Sequence, residues 1–155
     1  MGANVTNHEL AEELEAQLTA LLTATKASRV TLRLDLPKYA FHVDDVAAEA
    51  RKPGVASLKG QTSIDQRRAP TVVWLDRERR LLVQPDLLLA DPAPPPALIQ
   101  VYGTTAQMLA PLVIDNALVG WISVHHNGGT REWKQDEIAT LSGLADAFID
   151  RLEKL

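Results

Sequence analysis

Two long alternating segments joined by a two-residue turn constrain this chain more than any other feature. Gln107 to Ile114 and Leu118 to His126 read as strands, and Asp115-Asn116 between them is turn chemistry, so the two pair as an antiparallel hairpin. Successive strand residues point to opposite faces. Trp121, Ser123 and His125 therefore share one face, and Ile122, Val124 and His126 share the other. On the preceding strand Gln107, Leu109 and Pro111 alternate with Met108, Ala110 and Leu112. The apolar set is the natural face for helices to cover.

Two helices are available to cover it. Thr6 with Glu9 three residues later reads as a capping box, and Leu10, Leu14, Leu18, Leu21 and Leu22 form one helical face running to about Lys26. At the other end Ile138, Leu141, Leu144, Ala145, Phe148, Ile149 and Leu152 form a second stripe. Each stripe looks wide for one sheet contact, which predicts a homodimer through the terminal helices.

The middle of the chain is less regular. Arg29 to Leu36 alternates and predicts a half-buried strand closed by Pro37, with Tyr39 to Val43 as a partner strand. Val46 to Ala50 reads as a short helix ended by Pro53-Gly54, and Ser57 to Ala69 as a polar loop with a helical turn. Thr71 to Leu75 and Arg80 to Gln84 read as a hairpin around the charged turn at Asp76 to Arg79. Asp91 to Pro96 is proline-dense. It could link two domains, but too little chain flanks it for two cores, so it reads as a surface loop leading into a short helix, Ala97 to Tyr102.

The expected fold class is α+β: an antiparallel sheet with the N- and C-terminal helices on one face and a pocket on the other, covered by the segments from Phe41 to Tyr102. Residues 1–155 form one domain in this reading, with 1–26 as the N-terminal helix, 29–126 as the sheet with its pocket loops and 133–155 as the C-terminal helix.

Composition excludes several kinds of chemistry. The chain has 155 residues and no cysteine, so disulfides, thiolate ligands, thiol nucleophiles and thioether attachment are ruled out. With 16 Lys and Arg against 20 Asp and Glu, the net charge is −4, and no basic stripe marks a nucleic-acid partner. No apolar run could span a membrane, and the N-terminus lacks a signal pattern, so a cytoplasmic protein is expected. Met1-Gly2 with Thr6 fits the loose myristoylation pattern, which is common by chance.

The run from Met108 to Val124, a strand ending in Pro111-Leu112, a polar turn and then Leu118-Val119-Gly120-Trp121-Ile122-Ser123-Val124, resembles the end of a GAF domain. Arg131, Trp133 and Asp136-Glu137 before the last helix complete the likeness, with Lys134 where a Ser or Thr cap is usual. The likeness is specific from Gln107 to Leu155 and rests on element order elsewhere. It implies a PAS-like layout, a small-molecule pocket above the sheet and dimerisation through terminal helices. Gly120 to His126 followed by Arg131 is similar to the chromophore domain of phytochromes, which implies that His125 faces the pocket. The missing cysteine and the missing Asp-Ile-Pro stretch argue against bilin attachment, and the cyclic-nucleotide motif is absent. The free methionine sulfoxide reductases, lone GAF domains of similar size, work through cysteines that this chain lacks.

Several residues are candidates for the site. Gln107, Trp121, Ser123 and His125 would form a pocket wall, since buried polar groups need partners that a ligand can supply. The alternative is a sheet face that meets water. Arg67 and Arg68 could clamp an anion, or lie on an exposed loop. His42 with Asp44 and Asp45, together with His125 and His126, could form a metal site or an acid–base pair. No ligand spacing is diagnostic, so no metal is predicted. Gln84 and Asp86 could reach the pocket from its rim, unless Asp86 only caps a turn. Trp74 and Trp133 read as packing. The leading expectation is a small-molecule-binding sensory or accessory domain, with an anionic metabolite as candidate ligand, no cofactor named, and a separate output protein as partner. The alternatives are a small enzyme using a pocket histidine as acid or base, and a structural partner with a vestigial pocket.

Overall fold

The computed structural model describes residues 4–155; Met1 and Gly2 of the myristoylation pattern lie outside them. The elements run α1 (Asn7–Thr25), β1 (Arg29–Leu34), β2 (Ala48–Arg51), α2 (Pro70–Glu78), β3 (Leu82–Gln84), α3 (Pro96–Gln100), β4 (Thr104–Ile114), β5 (Ala117–Asn127) and α4 (Gln135–Glu153), with 3-10 turns at Pro37–Tyr39 and Gln66–Arg68. The strands form one antiparallel sheet in the order β2-β1-β5-β4-β3. Asp115 and Asn116 both have positive φ, 51° and 64°, which gives a hairpin turn whose twist matches that of its strands.

The capping box at Thr6 is present: its hydroxyl accepts the Glu9 N–H at 3.1 Å, and Glu9 accepts the Thr6 N–H at 3.2 Å. α1 and α4 bury Leu10, Leu14, Leu18, Leu21, Leu141, Ala145, Phe148 and Leu152 against Val30, Leu32, Met108, Ala110, Ile122 and Val124. The two stripes are thus largely spent inside the fold. Leu14 is 1% exposed, so the surplus that predicted a dimer is absent from this part of α1.

Three local expectations are corrected. Val46 to Ala50 is not a helix: Ala48 to Arg51 pairs with the open edge of β1, and the small Ala48 and Ala50 join the core cluster beneath α1. Tyr39 to Val43 is not that partner; only a single Leu36–Phe41 bridge forms there. Thr71 to Leu75 is helical rather than the first arm of a hairpin. Pro70 fixes the first helical turn, and Thr71, Val72 and Leu75 fall on one buried helical face. The returning strand, β3, pairs with β4 instead. The short helix after the proline-rich stretch forms as expected.

The strand β1 is buried at all six positions, not half-buried. It lies between β2 and β5, with helices on one side and the segments from 43 to 102 on the other. Its backbone approaches β5 so closely at Gly120 that an added Cβ would collide with the Arg33 carbonyl and lie 2.9 Å from Leu34 Cδ2. Gly120→Ala should therefore destabilise the fold by about 1–3 kcal/mol. It should appear as a lower denaturant midpoint with an unchanged slope. An unchanged midpoint would mean that the two strands separate freely at this point.

Candidate functional site

Strand register places two transverse polar rows on the face away from α1 and α4. One row runs Arg51, Arg29, His125, Gln107, Gln84, and the next runs Glu49, Thr31, Ser123, Leu109, Leu82. Arg33 and Trp121 face each other one step further along. Above these rows lies a cavity of about 230 Å³. Its floor is Thr31, Arg33, Leu109, Trp121, Ser123 and His125. Its cover comes from the loop at 58–66, the start of α2 and the stretch from Pro95 to Tyr102. The mixed face of the sheet is covered rather than open to water: Thr31 is 1% exposed, Ser123 5% and His125 3%.

The loop cover is held by carboxylates. Glu49 accepts from the Ser57 hydroxyl at 2.5 Å and the Leu58 N–H at 2.8 Å. Asp45 accepts from the Gly60 N–H, and Asp44 from the Gln66 N–H, each at 2.9 Å. These are charge-assisted bonds, the stronger kind.

Arg29 fixes His125. Its Nε–H donates to His125 Nδ1 at 3.1 Å, Nη1 donates to the Ala56 carbonyl at 3.0 Å, and Nη2 donates to the Thr104 hydroxyl at 2.9 Å. The guanidinium also lies 5.7 Å from the centre of the Tyr102 ring. An arginine can only donate, so Nδ1 must be the acceptor and the imidazole proton sits on Nε2. Burial, and then the charges of Arg29 and Arg33, push the His125 pKa well below its ordinary value. His125 is therefore a neutral imidazole whose free Nε2–H is a donor. The hydroxyls of Thr31 and Ser123 have no protein partner among the described residues.

Of the nine residues expected from sequence, Trp121, Ser123 and His125 line the cavity. Gln107 and Gln84 do not. The Gln107 amide donates to Gln84 Oε1 at 2.8 Å, and Gln84 donates to the Pro92 carbonyl at 2.7 Å. This pair anchors the proline-rich loop to the sheet edge. Arg67 is held by Asp35 and by the Leu118 carbonyl, 3.0 Å from its Nη2. Arg68 points to solvent beside Asp65, its side chain 88% exposed. Neither of these arginines lines the cavity. Asp86 accepts the Leu88 N–H at 3.0 Å and so caps a turn. His42 is 69% exposed near Asp35 and Asp44 and lies outside the cavity. No group of three His, Cys, Asp or Glu that could hold a metal occurs among the described residues. Trp133 is core, with its indole N–H 3.3 Å from the Gln84 carbonyl, and Trp74 packs against the smaller cluster around Leu75 and Trp121.

Sequence reasoning missed Arg29, Thr31 and Arg33. The alternation of Arg29 to Leu36 by itself predicts a half-buried strand, which leaves that side uncovered. The available signal was that a polar row on β1 would align with the polar row already identified on β5.

A family model described as GAF domain matches residues 9–149. Solved structures share the fold. The PixJ GAF domain of Thermosynechococcus elongatus, in its blue-light absorbing form, has a TM-score of 0.74 at 19% identity, over 98% of this chain and 92% of that one. The chromophore-binding domain of the bacteriophytochrome RpBphP3 from R. palustris has a TM-score of 0.73 at 18% identity, over 94% and 56%. The phycocyanobilin-bound GAF domain from a cyanobacterial phytochrome has a TM-score of 0.71 at 14% identity, over 98% and 96%. No curated protein matches the chain.

The buried neutral histidine has a consequence in acid. Unfolded, His125 titrates near about 6.5, so below that pH the unfolded chain binds the extra proton and the native state does not. Stability should be full from about pH 7.5 upward and be lost as pH falls through about 6.5 towards the depressed native value. His126 acts in the same direction, its pKa lowered by burial and then by Arg131 and Lys52. Unfolding free energy should drop between about pH 7.5 and about pH 5, and the drop should shrink in His125→Gln. An equal drop in both proteins would assign it to other groups.

Proposed function

Because this chain belongs to the GAF domain family, we propose that it is a sensory or accessory domain that binds a small molecule non-covalently in the cavity above its sheet. The observation that carries this reading is the floor itself. Thr31, Ser123 and His125 line the cavity, and no protein group among the described residues pairs with the two hydroxyls or with His125 Nε2, so these polar atoms are open to whatever fills it. A bound molecule supplies those partners, while Leu109, Trp121 and Val72 offer it apolar contact. A separate protein would receive the signal.

A linear tetrapyrrole does not fit this chain. There is no cysteine to hold one. The cavity of about 230 Å³ also falls below the roughly 300–1,000 Å³ typical of sites for drug-sized ligands.

The histidine supports binding over catalysis. A general acid or base works best with a pKa near the working pH. The Nδ1 of His125 is occupied by Arg29, and a positive charge on the ring would be repelled by the guanidiniums of both Arg29 and Arg33. As an orienting donor, His125 contributes about one hydrogen bond, so His125→Gln should weaken binding by about tenfold or less while the fold persists. A loss of about 10²–10⁴ in a turnover rate, with affinity retained, would favour the enzyme instead.

Native mass spectrometry of the purified protein should retain a small molecule that is released on denaturation. A bare chain, together with no melting shift across a panel of neutral, cationic and anionic compounds, would overturn the reading. A homodimer through the terminal helices would use half-buried Leu22, Ile138, Leu144 and Ile149. Light scattering should then give twice the 17.0 kDa chain mass. A monomer at high micromolar concentration would remove the dimer and leave the binding proposal intact.

A further inference from the structure

The charge in the cavity is concentrated at one residue. Arg33 is 7% exposed and lines the floor, yet only its Nη1 is used, donating to the Val43 carbonyl at 3.0 Å. Its Nε–H and Nη2 group have no partner among the described residues, and no carboxylate there lies within 4.0 Å of it. Burial lowers its pKa, opposed first by Asp45 and then by Asp44, but an arginine remains charged through such a shift. The two nearby aspartates are already engaged. Asp44 accepts the Gln66 N–H, and one oxygen of Asp45 accepts both the Val46 and Gly60 N–H groups. Asp45, Asp44 and Glu49 act on Arg33 only at a distance; none occupies its free fork, and a carboxylate matches that fork with two parallel hydrogen bonds.

The other end of the cavity is neutral and donating. Arg33 faces Trp121 and His125 faces Arg29, so the two lie four residue steps apart along the β1–β5 pair, about 13 Å between backbones. Their side chains shorten that gap. Between them stand the hydroxyls of Thr31 and Ser123, with Leu109 and Leu98 as apolar walls. The cavity of about 230 Å³ holds roughly seven or eight water-sized groups at about 30 Å³ each.

We propose that the cavity takes a small monocarboxylate with a flat or branched apolar body and a hydrogen-bond acceptor at its far end. The carboxylate seats on Arg33 and the acceptor on the Nε2–H of His125. This rests on the reading of the cavity as a ligand site and names the class of ligand. A phosphate dianion fits less well. Arg29 spends all three of its nitrogens within the protein, so a second negative charge would lie buried without a matching donor fork.

Four probes separate charge from shape: isonicotinate carries both the carboxylate and the ring acceptor, benzoate only the carboxylate, isonicotinamide the ring acceptor with a neutral amide in place of the carboxylate, and inorganic phosphate an anionic charge without a ring. Calorimetry at neutral pH should rank isonicotinate above benzoate and both above isonicotinamide and phosphate. Two-dimensional NMR should show the amides of Ser123 and His125 shifting with the first two. Arg33→Gln should weaken both carboxylates by about tenfold to a hundredfold and leave isonicotinamide unchanged. If Arg33→Gln does not fold, Arg33→Lys keeps the charge, loses the fork and should weaken both carboxylates several-fold. His125→Gln should bring isonicotinate down towards benzoate.

Isonicotinamide binding as tightly as isonicotinate, phosphate binding more tightly than either carboxylate, or a folded Arg33 variant with unchanged carboxylate affinity would each overturn the proposal. Silence of all four probes overturns the ligand class. If native mass spectrometry still finds a retained molecule, the binding reading stands without it. If it finds a bare chain, and the broader panel gives no melting shift, both fall.

Discussion

β1 runs through the middle of the sheet with every residue from Arg29 to Leu34 buried, so its polar side chains must find their partners inside the protein. Half of the strand is satisfied in the ordinary way. Val30, Leu32 and Leu34 enter the core beneath α1 and α4. The other half determines what lies above the sheet. Arg29 reaches the start of β4 at Thr104, and it ties the loop at Ala56 and the ring of Tyr102 to the floor. Arg33 reaches the segment at Val43. One strand thus organises both the apolar core and the polar chamber.

The two faces of the sheet obey different rules. On the helical side, close packing of leucines and small residues provides the hydrophobic stabilisation, and the near contact at Gly120 brings β1 and β5 together. On the other side, charged groups fasten irregular segments by hydrogen bonds to backbone. Glu49, Asp44 and Asp45 hold the loop over the cavity, and the Gln84–Gln107 pair holds the proline-rich loop before α3. The first kind of contact is insensitive to charge, whereas the carboxylate fastenings depend on it.

How legible this was depended on how local each signal is. The β4–β5 hairpin and the terminal helices declare themselves through period, turn and cap, and they carry the alternation that puts Trp121, Ser123 and His125 on the cavity side. Thr71-Val72-Val73-Trp74-Leu75 suits a strand by propensity, but Pro70 and the spacing of its buried residues make it helical. Ala48 to Ala50 suits a helix by propensity, but the unpaired edge of β1 makes it a strand. Tertiary demand decided both. The arginines show the same limit. Arg67 and Arg68 look like a clamp in sequence, but one is held by Asp35 and the other points to water. Arg29 and Arg33 look like surface charges because nothing within a single strand says that both of its faces are covered.

The fastening of the cover by Glu49, Asp44 and Asp45 divides the molecule into a part that keeps still and a part that can yield. The floor is a continuous five-stranded ladder, and opening it would break the core. The loop over it hangs mainly from a few side-chain carboxylates, and a segment held at so few points opens at lower free energy than a sheet. Amide exchange would therefore run on two clocks, fast at Gly60 and slow in β1 and β5. The loop at 58–66 is thus the part of the chamber that can yield without disturbing the core, while the ladder serves as its fixed datum.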